Sequence, residues 1–247
     1  MILLCIKEMI YTIKKMFKQF SESEITDLYN KYVKNKTSAY YQSHYNLYNQ
    51  VMNLNLKDFN PETSDYPRLA SIVDFKNWLS SHNLTHFESV LSTCRHDPEL
   101  QMINYSNIDY AEYDGKSNDL HTLDLPKKDY DLVVVNQTLE HVYNPFQCVK
   151  NIYDHIKPSG YFFTSVPMIN VDHNLPFYYW GINPTGLALM CKSQGFEVLE
   201  VGFWGNREYV LNLFGREPWP SYRSMRGDKP NDVNFICQCW ILCQKHP

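Results

Sequence analysis

Three stretches of this 247-residue chain predict an α/β fold built on an open, mostly parallel sheet. Asp131-Leu-Val-Val-Val is short, apolar and β-branched, as a strand buried on both faces is. Asn144-Pro145 then supplies a helix start, with Asn as N-cap and Pro at the first helical position. Phe146, Val149, Ile152, Tyr153 and Ile156 recur at helical spacing, so one face of that helix packs on a sheet. Lys157-Pro-Ser-Gly breaks the helix, and Tyr161 to Val166 is a second apolar strand. Strand, helix and strand within about forty residues make a right-handed βαβ unit. Sheets of this kind bind ligands beyond the carboxyl ends of their strands, which places the crevice at 136–141 and 167–173.

Composition bounds the rest. Hydrophobic residues at 44% and aromatics at 15% support a substantial core. A net charge of −4 and a pI near 6.1 argue against a nucleic-acid-binding surface. The 7 cysteines include no C-x-x-C pair, so they form neither a disulfide framework nor a zinc site by spacing. No apolar run is long enough to span a membrane, and the first residues lack a secretory signal. A reducing, cytoplasmic setting is the expectation.

In chain order, residues 1–86 read as an N-terminal helical extension or cap and 87–247 as the sheet domain. Ile2, Ile6, Met9, Ile13, Phe17 and Phe20 form an apolar stripe among lysines, a surface for the chain's own domain, for a homodimer partner or for an anionic membrane face. Ser21-x-x-Glu24 is a capping box that starts a new helix. The tyrosine-rich segment 25–56 reads as a helical cap or a lid over the crevice. Arg68 to Leu79 is a helix leading into a first strand at 87–93. Asp97-Pro98-Glu99 reads as a helix start that points backbone donors into the crevice. Asn107 to Tyr113 is a second strand, whose terminal acid would accept from a ribose diol; Glu112 is first choice, with Asp109 and Asp114 as alternatives. Little room remains for a helix before the central strand. After Pro167 a loop dense in aromatic and titratable groups carries Asp172, His173, Tyr178, Tyr179 and Trp180. Asn183-Pro184 caps the next helix, a strand covers 196–203, Trp204-Gly205-Asn206 turns into a polar helix, and 234–243 is the last strand.

The run Tyr130-Asp-Leu-Val-Val-Val-Asn-Gln-Thr-Leu-Glu-His-Val-Tyr-Asn-Pro, followed by Lys157-Pro-Ser-Gly and Ser165-Val-Pro, resembles the class I S-adenosylmethionine-dependent methyltransferases. It is most similar to the branch with a Leu-Glu-His-Val turn after the fourth strand, and the likeness spans roughly 88–203. The resemblance implies a Rossmann-like seven-stranded sheet of order 3-2-1-4-5-7-6 with the last strand antiparallel. It also implies S-adenosylmethionine as cofactor, with Asp119 accepting from the adenine amino group and Leu120 packing on the ring. Thr93, Arg95, Asp97, Glu112, Asn136, Gln137 and His141 complete the candidate cofactor set; Arg95 and His96 either meet the cofactor carboxylate or are solvated loop residues. The family's first loop is glycine-rich, whereas Ser92-Thr-Cys-Arg-His-Asp97 holds no glycine.

Transfer to an oxygen acceptor needs a base, and histidine suits that task near neutral pH. His173, oriented by adjacent Asp172, is the first candidate; His141 orders the turn and lines the cofactor site. Tyr178, Tyr179, Trp180 and Trp204 are the candidate acceptor contacts. No histidine or carboxylate spacing calls for a metal. The expected function is O-methylation of a small-molecule or saccharide acceptor, the saccharide resting on analogy with related chains in carbohydrate-modifying pathways, virus-like ones included. The rival is a methyltransferase-fold binding or scaffold protein that has lost catalysis.

Overall fold

The computed structural model describes residues 20–35, 46–216 and 218–247. The stripe at 1–20 lies outside them except for Phe20, as do Tyr40, Tyr41 and Tyr45 of the tyrosine-rich segment.

The helices are α1 (Glu22–Tyr29), α2 (Leu47–Met52), α3 (Tyr66–Ser81), α4 (Pro145–His155), α5 (Pro184–Ser193) and α6 (Arg207–Gly215). The strands are β1 (Phe87–Ser92), β2 (Tyr105–Tyr110), β3 (Tyr130–Asn136), β4 (Ile156–Pro167), β5 (Phe196–Gly205) and β6 (Ile236–Lys245). Their order is β2-β1-β3-β4-β6-β5, parallel except for β6, which runs antiparallel between β4 and β5. This is the expected seven-stranded order without its outermost strand. Residues 111–129 are too few for a helix and an edge strand; among them only Leu120–Thr122 forms a 3-10 turn.

The local signals explain the elements. Ser21 and Glu24 close the capping box of α1, the Asn144 side chain accepts from the Gln147 N–H at α4, and Asn183 does the same for Gly186 at α5. On β3, Leu132 through Val135 are all 0% exposed, so both sheet faces are covered and each side chain contributes about 1.5–3 kcal/mol by burial. Pleating splits them: Val133 and Val135 meet the layer of α1, α4 and α5, while Leu132 and Val134 meet the layer of α2, α3 and α6. On α4 the suggested stripe packs inward at Val149 and Ile152 and continues to buried Ile156 and half-buried Tyr153, joined by buried Pro145, Cys148 and His155; only Phe146, at 40% exposed, departs from it. The helix expected at Asp97-Pro98 is only a 3-10 turn, Pro98–Met102, because β2 begins three residues later.

Candidate functional site

A cleft of about 420 Å³ opens beyond the carboxyl ends of β1, β2 and β3. Thr93 comes from the β1 loop, Ala111 and Tyr113 from the stretch after β2, and Asp119, Leu120 and His121 from the 3-10 turn. The turn after β3 adds Gln137, Thr138, His141 and Val142, and the loop after β4 adds Asn174, Phe177 and Tyr179. Gln137 takes the left-handed conformation, φ 48°, which reverses the chain sharply at the strand end. No described residue of 20–56 lines the cleft, so the lid expectation finds no counterpart among them.

The glycine-free loop is built from side-chain bonds. Ser92 Oγ donates to the Cys94 carbonyl and accepts from its N–H, and the Thr93 N–H donates to Val134 O. No residue from 92 to 97 has positive φ, so the path needs no glycine. Glu112 accepts from the Arg95 main-chain N–H at 2.7 Å and from its Nε at 3.0 Å, which holds its carboxyl below the usual range. Arg95 lies over the Tyr110 ring. Asp97 is buried, paired with Arg68 at 3.0 Å and taking the Asn136 amide at 3.3 Å; Arg68 also meets Glu99 at 2.8 Å. Burial raises both acids despite the guanidinium. Arg95, Asp97, Glu112 and Asn136 therefore brace the loop instead of lining the cleft, while Thr93, Asp119, Leu120, Gln137 and His141 do line it.

Asp119 is the one carboxylate among the described lining residues. Its Oδ1 accepts from the His121 N–H at 2.9 Å and Nδ1–H at 2.7 Å. Desolvation pulls its pKa up, but those bonds outweigh it and keep the group ionised. His121 Nε2 accepts from the Asn144 N–H and its ring stacks on Tyr143, so the turn is fixed to the head of α4.

On the opposite wall stands His141, and His173, which is not itself a lining residue, meets it edge to face with ring centroids 4.8 Å apart. His141 Nδ1 lies 2.7 Å from Phe177 O, and His173 Nδ1 lies 2.9 Å from Val171 O. A carbonyl only accepts, so each Nδ1 carries a proton, and in the neutral ring the lone pair is on Nε2. Asp172 is exposed and does not orient His173; the Val171 carbonyl does. Desolvation holds His141 below the usual histidine range. Tyr178 packs on both rings, and burial pushes its phenol up to about 12. Beneath them Glu140 is 0% exposed with neither oxygen hydrogen-bonded, and burial drives its pKa to about 8. The sequence shows Glu140 only as a letter of the Leu-Glu-His-Val turn.

Of the aromatic candidates, Tyr179 lines the cleft and Trp180 donates its indole N–H to Val142 O, bracing the turn. Trp204 is a correction. β5 continues through Gly205, so Trp204 points into the core against Tyr66 and Tyr209 at 0% exposure, far from any acceptor role. The sequence reading also passes over Tyr113, Asn118, Thr138, Tyr143, Asn174 and Phe177, loop residues whose period carries no signal.

A methyltransferase-domain family model matches residues 73–201, just over half the chain. No curated protein matches it. Among solved structures, an S-adenosylmethionine-dependent methyltransferase from Clostridium acetobutylicum is 10% identical, covering 82% of this chain and 100% of the other at a TM-score of 0.49. One from Mesorhizobium loti is 11% identical over 69% and 98% at 0.42. The [4+2]-cyclase SpnF is 12% identical over 81% and 94% at 0.43.

Proposed function

The chain belongs to the methyltransferase-domain family, and from that premise we propose that it transfers a methyl group from S-adenosylmethionine to an oxygen of a small-molecule or saccharide acceptor. The observation that carries this is the cleft itself: apolar Ala111, Leu120 and Val142 flank polar groups from the strand ends, in a volume suited to a nucleoside-sized ligand. Asp119 would take the adenine amino group, Leu120 would pack on the ring, and Thr93 and Gln137 would meet the amino-acid end. When bound, the cofactor supplies an electrophilic sulfonium methyl for in-line displacement. The protein's part is to hold the acceptor oxygen in line, exclude water and remove its proton. We assign proton removal to the His141–His173 pair, whose Nε2 lone pairs are free to accept it. Tyr178 and Tyr179 offer broad faces for the acceptor.

A second reading, a binding or scaffold protein without catalysis, draws on the Arg95–Glu112 pair that engages the acid expected at the ribose. Calorimetric titration with S-adenosylmethionine and S-adenosylhomocysteine separates the two, followed by acceptor screening with methyl-labelled cofactor. Binding and label transfer to a hydroxyl compound support the enzyme. Absent binding in a cooperatively melting protein supports the scaffold.

A further inference from the structure

We propose that Glu140, His141 and His173 form a binding site for one divalent transition-metal ion of the zinc class, behind the cleft wall that His141 lines. Three independent features carry it. The first is the ligand set: a carboxylate oxygen and two imidazole nitrogens lie within 4.8 Å of one another, with His141 Nε2 at 3.8 Å from Glu140 Oε1. Zinc–nitrogen and zinc–oxygen bonds near 2.0–2.2 Å put two tetrahedral ligands roughly 3.3 Å apart, so small rotamer shifts close the set.

The second is Glu140. A fully buried carboxylate with neither oxygen hydrogen-bonded is costly and calls for a counter-ion or a proton. Among the described residues the groups that join it in a set with ligand atoms within 4.8 Å of one another are the two histidines; the Arg68 charge, already paired with Asp97 and Glu99, acts on it without a hydrogen bond. The third is the tautomer. Both histidines donate Nδ1–H to backbone carbonyls, of Phe177 and Val171, which aims Nε2 lone pairs outward as metal-binding histidines require. The ligands come from the ends of neighbouring strands β3 and β4 and are joined by the Tyr179 N–H donating to Glu140 O at 2.8 Å, so the loop and turn form one frame. Separation along the chain hides the set from any motif search.

Three protein ligands leave a position over, and His141 faces the cleft. An acceptor hydroxyl bound there would be made more acidic by the ion, which would replace proton removal by the histidines. That use rests on the methyltransferase reading; the ion's binding does not.

The test is calorimetry of chelator-stripped, dialysed full-length protein with zinc chloride, with metal content measured on the recovered protein. Wild type, Glu140→Gln and His173→Asn are compared, their cooperative melting checked without metal. The expected result is one ion per chain, bound at least about tenfold more weakly in both variants, with a cobalt(II) spectrum lacking a thiolate charge-transfer band. No saturable binding overturns the proposal. So does binding that is unchanged in either folded variant, which would place the ion on cysteines or other histidines. S-adenosylhomocysteine titrated in parallel separates the two readings: cofactor binding without zinc sinks only the metal site, and zinc without cofactor binding sinks only the methyltransferase reading.

Discussion

Asp119→Ala is the substitution that bears most directly on the cleft. Asp119 Oδ1 already receives both bonds from His121, and among the described residues Oδ2 has no hydrogen-bond partner. The side chain is 40% exposed on the cleft wall, so Oδ2 is the atom available to an amino group. A hydrogen bond to a charged group contributes about 1.5–3 kcal/mol, which converts to a loss of roughly ten- to 150-fold in affinity. The same change removes the cap of the 3-10 turn, at about 1 kcal/mol of stability. Calorimetry with S-adenosylhomocysteine reads the first effect and thermal melting the second. Asp119→Asn retains an acceptor for His121 and loses the charge, so its affinity should fall between wild type and Ala. An Ala variant that melts cooperatively and binds with the wild-type Kd would remove Asp119 from the ligand site and with it the argument from the lining residues.

Three further outcomes concern the scaffold. Trp204→Ala should cost about 3–5 kcal/mol in urea unfolding while leaving cofactor affinity intact, because its fully buried ring packs on Tyr66 and Tyr209; weakened affinity at unchanged stability would restore it to the site. Gly202→Ala should destabilise by at least about 2–3 kcal/mol, since a Cβ there runs into the Trp240 indole nitrogen and the Asp74 carboxylate, themselves bonded at 2.9 Å; wild-type unfolding free energy would count against this packing. Asp131 accepts from the Ser89 N–H at 2.8 Å and pairs with Lys157; desolvation opposes these bonds, yet they hold its carboxyl below the usual carboxylate range. Its stabilisation is therefore complete above the unfolded-state pKa and lost as pH falls through the lower folded value. Asp131→Asn should cost about 1.5–3 kcal/mol at neutral pH and flatten the acid limb of the stability profile below about pH 4; parallel wild-type and variant limbs would refute the pairing.

The βαβ unit was legible because each of its signals is local: a β-branched run, an Asn-Pro cap, a Lys-Pro-Ser-Gly break. What escaped depends on partners distant in sequence. Arg68, on a helix well upstream, captures Asp97 and Glu99, and no spacing announces that. Trp204 turned on strand length: reading β5 as ending at Phe203 leaves the indole in a turn, whereas two further residues bury it. Periodicity placed His141 and His173 at neighbouring strand ends, but only the folded loop shows which carbonyls their Nδ1 atoms meet.

The glycine-free loop follows the same logic. Glycine in such a loop supplies conformational freedom for close approach. Here the chain keeps to ordinary φ and fixes the path by side chains: Ser92 on Cys94, and Glu112 on the Arg95 backbone and guanidinium. The left-handed residue sits instead at Gln137, one strand over. Glu112 has thereby become part of the loop's support, with both oxygens engaged, so its replacement would disturb the loop before it disturbed any ligand. Asp119 differs in both respects. It lines the cleft, and its second oxygen has no hydrogen-bond partner among the described residues. Of the acids after β2, it is the one whose loss can be read as lost binding.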